Sequence, residues 1–331
     1  MKPFAYARPK DAKEAFGLLT GDARAKGGGV DLLDLAKNGI STPQTMVDVR
    51  LLEFMQVLQP TGPGGLALGA GVTLARLASD PLVARECPAL AEAAAQAATP
   101  QVRALATLAG NLLQRPRCAY FRDPFFDCLK RGGKTCPAME GDHSEGAIFG
   151  NGKCCAVHPS NLAVVLLAVG ADISILTGID EKEGGFIVTQ GTYDARFFVS
   201  PEEDPLREAR LAPGAVILWL ALPSARASAY VEVDQKQSFD WASASCAVAL
   251  EIEGGKVKSA RVALGAVAPV PMLSEGAAQA LIGKVANEKA AEAAADAAVK
   301  GATPLRDNAH KVQHLRVCVK RAVLKAAERG R

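Results

Sequence analysis

Between Gln114 and Lys153 the chain abandons apolar periodicity, and five of its eight cysteines, Cys118, Cys128, Cys136, Cys154 and Cys155, crowd there or just beyond. A segment rich in Arg, Gly and Cys cannot bury its own core. It reads as an insertion at about 114–157, within a domain that resumes at His158 with a helix over Asn161–Val169. The spacing leaves nine residues between Cys118 and Cys128, seven before Cys136 and seventeen before Cys154. Thiolates are the preferred ligands of iron–sulfur clusters, and four complete one cubane. Arg115, Arg117, Arg122, Lys130, Arg131 and Lys134 lie near enough in sequence to offset its charge. Zinc, disulfides and idle thiols stay open as alternatives, although structural zinc sites usually use close C-x2-4-C pairs. Cys87, Cys246 and Cys318 stand singly in apolar contexts and read as buried hydrophobes. His143 and His158 read as structural residues.

Around this insertion, residues 1–58 alternate short strands and helices. Asp31–Lys37 is an amphipathic helix, with Asp31 as its expected cap and Asn38-Gly39 as its end. Met46–Val49 and Leu66–Leu68 read as strands, and Leu74–Ala78 and Pro88–Ala98 as helices. Strands are also expected at Phe186–Thr189 and Ala215–Leu222. After Pro223 the pattern changes. Val231–Val233, Ala247–Ile252 and Val257–Leu264 read as antiparallel strands, followed by alanine-rich helices and an amphipathic helix over Val312–Ala327. A boundary falls near residue 225. With 331 residues, the chain has room for two domains, or three small ones.

A net charge of +3 without a basic block argues against nucleic-acid binding. The longest apolar run, Leu162–Val169, fits a buried helix and is too short to span a membrane. Met1–Phe16 lacks the apolar centre of a signal peptide. The expected location is the cytoplasm, or the periplasm if a signal-bearing partner carries the chain out.

Three glycines, Gly27-Gly28-Gly29, directly precede a helix start. They allow close approach of backbone N–H groups, and a helix N-terminus favours an anion. A diphosphate seat and a plain tight loop both fit that spacing. Gly62-Pro63-Gly64-Gly65 matches a Rossmann spacing formally but reads as a turn. Thr107-Leu108-Ala109-Gly110-Asn111 adds hydroxyl and amide groups that can reach phosphate, or forms an ordinary turn. In His158-Pro159-Ser160-Asn161, Ser160 can simply cap the next helix.

Taken in order, these three stretches resemble the FAD-binding subunit of the molybdenum hydroxylases, the xanthine dehydrogenase and aldehyde oxidoreductase family. That family reads A-G-G-T-D/N-L, T-x-G-G-N and H-P-S-D at the corresponding sites. The likeness continues through Ser238–Ala242, Ala263–Pro269 and Ala302–Ala309. It implies an α+β fold: a two-lobed FAD-binding domain of the molybdopterin dehydrogenase type over 1–225, with lobes at about 1–58 and 59–225, then a smaller α+β domain over 226–331. The cofactor-binding residues it implies are Lys26, Gly27, Gly28, Gly29, Val30, Asp31, Leu32, Leu33, Asp34, Thr107, Gly110, Asn111, Asn161 and Glu232. Val30, Ala109, Asn161 and Glu232 depart from the family pattern. They motivate a second reading, a flavin-free scaffold subunit. A third, a stand-alone NAD(P)H-dependent flavin oxidoreductase, lacks a nicotinamide fingerprint.

The insertion resembles the flavin subunit of bacterial periplasmic aldehyde oxidoreductases, which carries a [4Fe–4S] cluster. That likeness implies Cys118, Cys128, Cys136 and Cys154 as ligands, with Cys155 at a position usually apolar. The chain has no plant-type ferredoxin signature and is too short for a molybdopterin-binding catalytic subunit. By resemblance it serves as one subunit of a heteromeric enzyme. A molybdopterin-binding subunit would oxidise the substrate, an aldehyde, and a [2Fe–2S] subunit would pass electrons through FAD on this chain to an external acceptor. No acid, base or nucleophile is expected here, because the cofactors carry the redox chemistry.

Overall fold

The computed structural model describes residues 1–62, 64–180, 185–192, 195–236 and 239–330, so Pro63 and Ser238 lie outside the described residues. The N-terminal lobe runs β1 (Ala5–Ala7), α1 (Ala12–Leu18), β2 (Ala23–Lys26), α2 (Val30–Lys37) and β3 (Thr45–Asp48). Its strands pair in parallel in the order β1-β3-β2. Parallel pairing follows from the helix in each strand-to-strand connection.

The chain then forms the hairpin β4 (Leu58–Thr61) and β5 (Gly65–Gly69) around the expected glycine turn. Short helices follow: α3 (Leu74–Ser79), α4 (Pro81–Glu86), α5 (Pro88–Gln96), α6 (Pro100–Leu105), α7 (Leu108–Leu112) and α8 (Ala119–Arg122). The helices α4, α5 and α6 each begin on proline, whose missing N–H and fixed φ suit a first turn. Asp80 and Thr99 cap two of them with side-chain oxygens. Next come α9 (Asn161–Val169), β6 (Asp172–Asp180), β7 (Gly185–Thr192) and β8 (Val216–Leu222). An antiparallel sheet results, ordered β4-β5-β8-β6-β7.

The C-terminal part is a second antiparallel sheet, β9 (Ser228–Asp234), β10 (Ala242–Glu253), β11 (Lys256–Gly265) and β12 (Met272–Leu273). One face is covered by α10 (Glu275–Leu281), α11 (Glu288–Ala298) and α12 (His310–Arg329). Gly254 and Gly255 close the β10–β11 hairpin with φ of 58° and 77°. Two positive φ values in a two-residue loop match the right-handed twist of the strands, and glycine takes them without strain.

Helix α9 sits where the two cores meet. Ser160 caps it, accepting from the Ala163 N–H at 3.0 Å, and every side chain from Leu162 to Val169 is buried. A Cβ on Gly265 would lie 2.3 Å from Val164 Cγ2 and 2.5 Å from Ser245 Oγ. Gly265→Val is therefore expected to cost about 1–3 kcal/mol through overpacking. The denaturation midpoint should fall with an unchanged m-value.

Helices α4, α6, α7 and α8 and strand β6 were not anticipated by apolar periodicity, being too short or too close to a neighbouring element. Asp31 does not cap α2. Gly29 does, in the left-handed region at φ 78°, with no side-chain hydrogen bond. The insertion is held at its far end by the C-terminal domain. Ile148 N–H donates to Val267 O at 2.8 Å, and Thr303 N–H donates to Ile148 O at 2.7 Å. Asn308, fully buried, donates to Gly146 O and Ala147 O at 3.1 and 3.2 Å.

Candidate functional site: a glycine-lined cavity beside a cysteine cluster

A cavity of about 1060 Å³ lies between the N-terminal lobe, the short helices and the β9–β10 turn. Its wall is built where two backbones approach closely. A Cβ on Gly28 would stand 2.0 Å from Leu105 O, and one on Gly27 would stand 2.6 Å from Thr107 Oγ1. A larger residue at Gly28 must move backbone, and one at Gly27 must displace the Thr107 side chain. Because Gly29 caps α2 with backbone alone, the first N–H groups of the helix stay clear of side-chain caps beside the cavity. Such an end attracts anions.

Of the residues expected at the cofactor site, Gly27, Gly28, Gly29, Val30, Asp31, Leu32, Thr107, Gly110, Asn111 and Asn161 line the cavity. Thr107 caps α7 by accepting from Gly110 N–H at 3.2 Å. Asn111 Oδ1 accepts from Ser160 Oγ at 2.6 Å, tying this loop to the start of α9. The remaining four stand behind the wall. Lys26 is buried and pairs with Asp48 at 3.0 Å, and Asp48 also accepts from Tyr6 Oη. Leu33 packs under Gly29, and Asp34 pairs with Arg122 at 2.9 Å. Glu232 accepts from Asn161 Nδ2 at 2.7 Å and from Tyr230 Oη at 2.6 Å.

Asp31 instead anchors the insertion. It accepts from Arg115 N–H at 2.9 Å and pairs with Arg117 and Arg122 at 3.0 and 2.7 Å. The arginines expected to balance a cluster are thus committed elsewhere. Arg115 pairs with Glu208 at 2.8 Å, and Arg122 with the two aspartates of α2. Arg117 lines the cavity, its guanidinium 4.5 Å from the centre of the Trp241 ring. Arg50, which apolar patterning did not single out, lines it too. Among the described residues, the buried Nε atoms of Arg50 and Arg117 have no hydrogen-bond partner. Unsatisfied guanidinium donors, a glycine loop and an open helix N-terminus together suit a polyanionic diphosphate.

The cysteine cluster is real as a gathering of thiols. Cys136 is hydrogen-bonded to the side chains of Cys154 and Cys155, and their donation holds its thiol well below the usual range. Hydrogen bonding to Cys136 and burial push Cys154 and Cys155 up. Cys118 lies beside Cys128 and Cys136, and burial raises it too. All eight cysteines are free thiols, which removes the disulfide alternative for this structure. The thiols bond to one another, and among the described residues no three His, Cys, Asp or Glu side chains are arranged to hold a metal ion. Two buried lysines flank the group: Lys130, paired with Glu208 at 2.9 Å, near Cys154, and Lys311 near Cys155.

Cys87, Cys246 and Cys318 are fully buried in the apolar cores. His143 is held by Ala138 O at 2.9 Å and Asp307 N–H at 3.2 Å. Burial drives His158 down to about 3, so it is neutral, packed against Phe198. Both histidines are structural.

The sequence matches two family descriptions: "FAD binding domain in molybdopterin dehydrogenase" over residues 2–223, and "CO dehydrogenase flavoprotein C-terminal domain" over residues 228–327. It is 34% identical to the aldehyde oxidoreductase FAD-binding subunit PaoB of Escherichia coli K12, covering 94% of each chain. Identity to the carbon monoxide dehydrogenase medium chain of Hydrogenophaga pseudoflava is 28%, over 92% of this chain and 88% of that one. The fold superposes on a chain of quinoline 2-oxidoreductase from Pseudomonas putida 86 with a TM-score of 0.74 at 25% identity, covering 100% and 99% of the two chains. With glycine loop, cavity and both domains in place along its length, the chain belongs to the molybdenum hydroxylase family as a FAD-binding subunit.

Proposed function

We propose that this chain is the electron-transfer subunit of a heteromeric molybdenum-dependent aldehyde oxidoreductase. It takes electrons from the [2Fe–2S] clusters of a partner subunit and delivers them to an external acceptor. A further partner, the molybdopterin-binding subunit, oxidises the aldehyde. The observation that carries this reading is the 1060 Å³ cavity, with its glycine loop at a helix N-terminus and, among its lining residues, two arginines whose buried Nε atoms have no partner. The 34% identity to an aldehyde oxidoreductase subunit across both chains favours aldehydes over carbon monoxide.

Bound FAD supplies the capacity to accept and release electrons one or two at a time. The chain's own residues bind and orient it. Gly27, Gly28 and Gly29 with the first turn of α2 receive the diphosphate, and Arg50 and Arg117 offer N–H donors to its oxygens. Val30 supplies no hydroxyl, and backbone amides take over that role. Thr107, Gly110, Asn111 and Asn161 line the same cavity, with Thr107 against Gly27.

We further propose that Cys118, Cys128, Cys136 and Cys154 hold a [4Fe–4S] cluster, with Cys155 as an adjacent non-ligand. Pairwise proximity supports this: Cys136 bonds Cys154 and Cys155, Cys118 lies beside Cys128 and Cys136, and the buried cations Lys130 and Lys311 lie near Cys154 and Cys155. Anaerobic purification with the partner subunits, followed by FAD, iron, sulfide, zinc and molybdenum analysis, tests both parts. Equimolar FAD is expected, with iron and labile sulfide in equal amounts. Absence of FAD overturns the cavity reading, and iron and sulfide no greater than the [2Fe–2S] partner holds, with or without zinc, overturns the cluster. Cys154→Ser should remove about four irons per complex, leaving those of the [2Fe–2S] partner, and Cys155→Ser should spare them; the reverse result reassigns the fourth ligand.

A further inference from the structure

Glu232 is a half-buried carboxyl without a counter-cation among the described residues. The two-residue period of β9 places Tyr230, Glu232 and Asp234 on one face. Every hydrogen bond that Glu232 receives comes from a neutral donor: Tyr230 Oη at 2.6 Å and Asn161 Nδ2 at 2.7 Å. Asn161 Nδ2 also reaches Tyr230 Oη at 3.0 Å, so both amide hydrogens are engaged behind the cavity wall that Asn161 lines.

The surrounding charges do not favour an ionised Glu232. On its own strand stands Asp234, whose Oδ1 is buried without a partner, and beyond the β9–β10 turn Asp240 adds a second negative charge to that neighbour. From α12, Cys318 faces it as a buried thiol pushed far upward, with Arg321 acting on that thiol. Across on β10, Ser245 is neutral and bonds Tyr230. On α5, Glu92 accepts from Tyr230 N–H, and Arg329 and Lys325 are already paired with it. Helix α9 contributes only Asn161. No ion pair reaches Glu232 among the described residues, and burial lifts its carboxyl to about 7.

One amide therefore separates a proton-poised acid from the ligand in the cavity. We propose that Glu232 is a proton acceptor coupled to the charge of the bound flavin, taking up one proton when the flavin is reduced and returning it when the electrons leave. This rests on the cavity holding FAD. The balance is simple. Two electrons, passed one at a time from the partner's [2Fe–2S] clusters, and one proton from water would enter the flavin, and the negative charge they leave would draw a second proton from water onto the Glu232 carboxylate. Oxidation reverses both steps and breaks the Glu232 O–H bond that reduction formed, with no other bond of the chain changed. At the separation of one amide, a unit charge shifts the acid constant of Glu232 by about tenfold or more.

The test uses the full chain loaded with FAD, with proton uptake on reduction counted in weak buffer and the flavin midpoint potential followed from pH 6 to 9. Wild type should take up to one more proton per two electrons than Glu232→Gln, and its potential should fall more steeply with pH. Tyr230→Phe keeps the acid but removes a donor to its carboxylate, so the inflection should move to higher pH. A purely structural Glu232 would not move it. Equal proton counts and slopes in wild type and Glu232→Gln overturn the proposal while FAD binding stands. If Glu232→Gln does not fold, an unmoved inflection in Tyr230→Phe overturns it. Wild-type chain that holds no FAD overturns the cavity reading and this proposal with it.

Discussion

Gly28→Val is expected to lower FAD affinity by about a hundredfold, equivalent to about 3 kcal/mol. The branched side chain would begin 2.0 Å from Leu105 O, a backbone atom that cannot swing aside like a side chain. The loop must withdraw from the Leu105–Thr107 segment, and that movement displaces the α2 N-terminus together with Asp31, which holds Arg117 at 3.0 Å. Anion binding by oriented amides depends on sub-ångström placement, so affinity falls faster than stability does. Gly28 belongs to neither apolar core, and the far-ultraviolet circular dichroism should stay unchanged. FAD titration by fluorescence quenching measures the effect, and a variant that binds as tightly as wild type would show that the glycine loop does not seat the cofactor.

The second large effect concerns Lys311. Its ammonium is fully buried on α12, donates to Glu145 O at 2.8 Å, and is pushed by burial down to about 8. The unfolded chain holds this proton up to about 10.5. Between those values the unfolded state binds more protons, so folding stability rises with pH there, and below about 8 the full cost of burying the charge is present. That cost is about 3 kcal/mol. Measured against Lys311→Met by urea unfolding, the wild-type chain should gain about 3 kcal/mol between pH 8 and 10.5. Taking the difference between the two chains removes the thiol titrations they share. A flat difference would mean that Lys311 is solvated or paired in the folded state.

The elements that the sequence announced are those where one local signal decides the outcome. Ser160 followed by an unbroken apolar run gives α9 its bounds at Asn161 and Val169. Alternation around Glu232 and across Ala247–Leu264 reads directly as β9 to β11, and Gly254-Gly255 turns the hairpin. The glycine loop was legible as the lead into a helix start because glycines and that start are adjacent in sequence, and it lines the cavity. Asp31 misled for a physical reason: an aspartate at a helix start looks like a cap, but three insertion donors claim its carboxylate first. Helices α4 and α6 carried readable signals in Asp80-Pro81 and Thr99-Pro100, too brief for periodicity to register. Arg50 and Arg117 were invisible as cavity residues because each follows from how separate elements meet.

The bonds that fasten the insertion to the C-terminal domain have a consequence for how the protein is made. Asn151 reaches Thr303, Asn308 reaches Gly146, and Lys311 reaches Glu145, each across more than 150 positions of sequence. On the ribosome, Cys118 to Cys154 emerge well before these partners exist. At a synthesis rate of roughly 5–20 residues per second, the thiols wait roughly ten seconds or more before α12 arrives to close over them. During that interval they are open to whatever delivers metal and to whatever oxidises sulfur. The order of translation therefore sets an interval in which the thiols stand unshielded by the C-terminal domain.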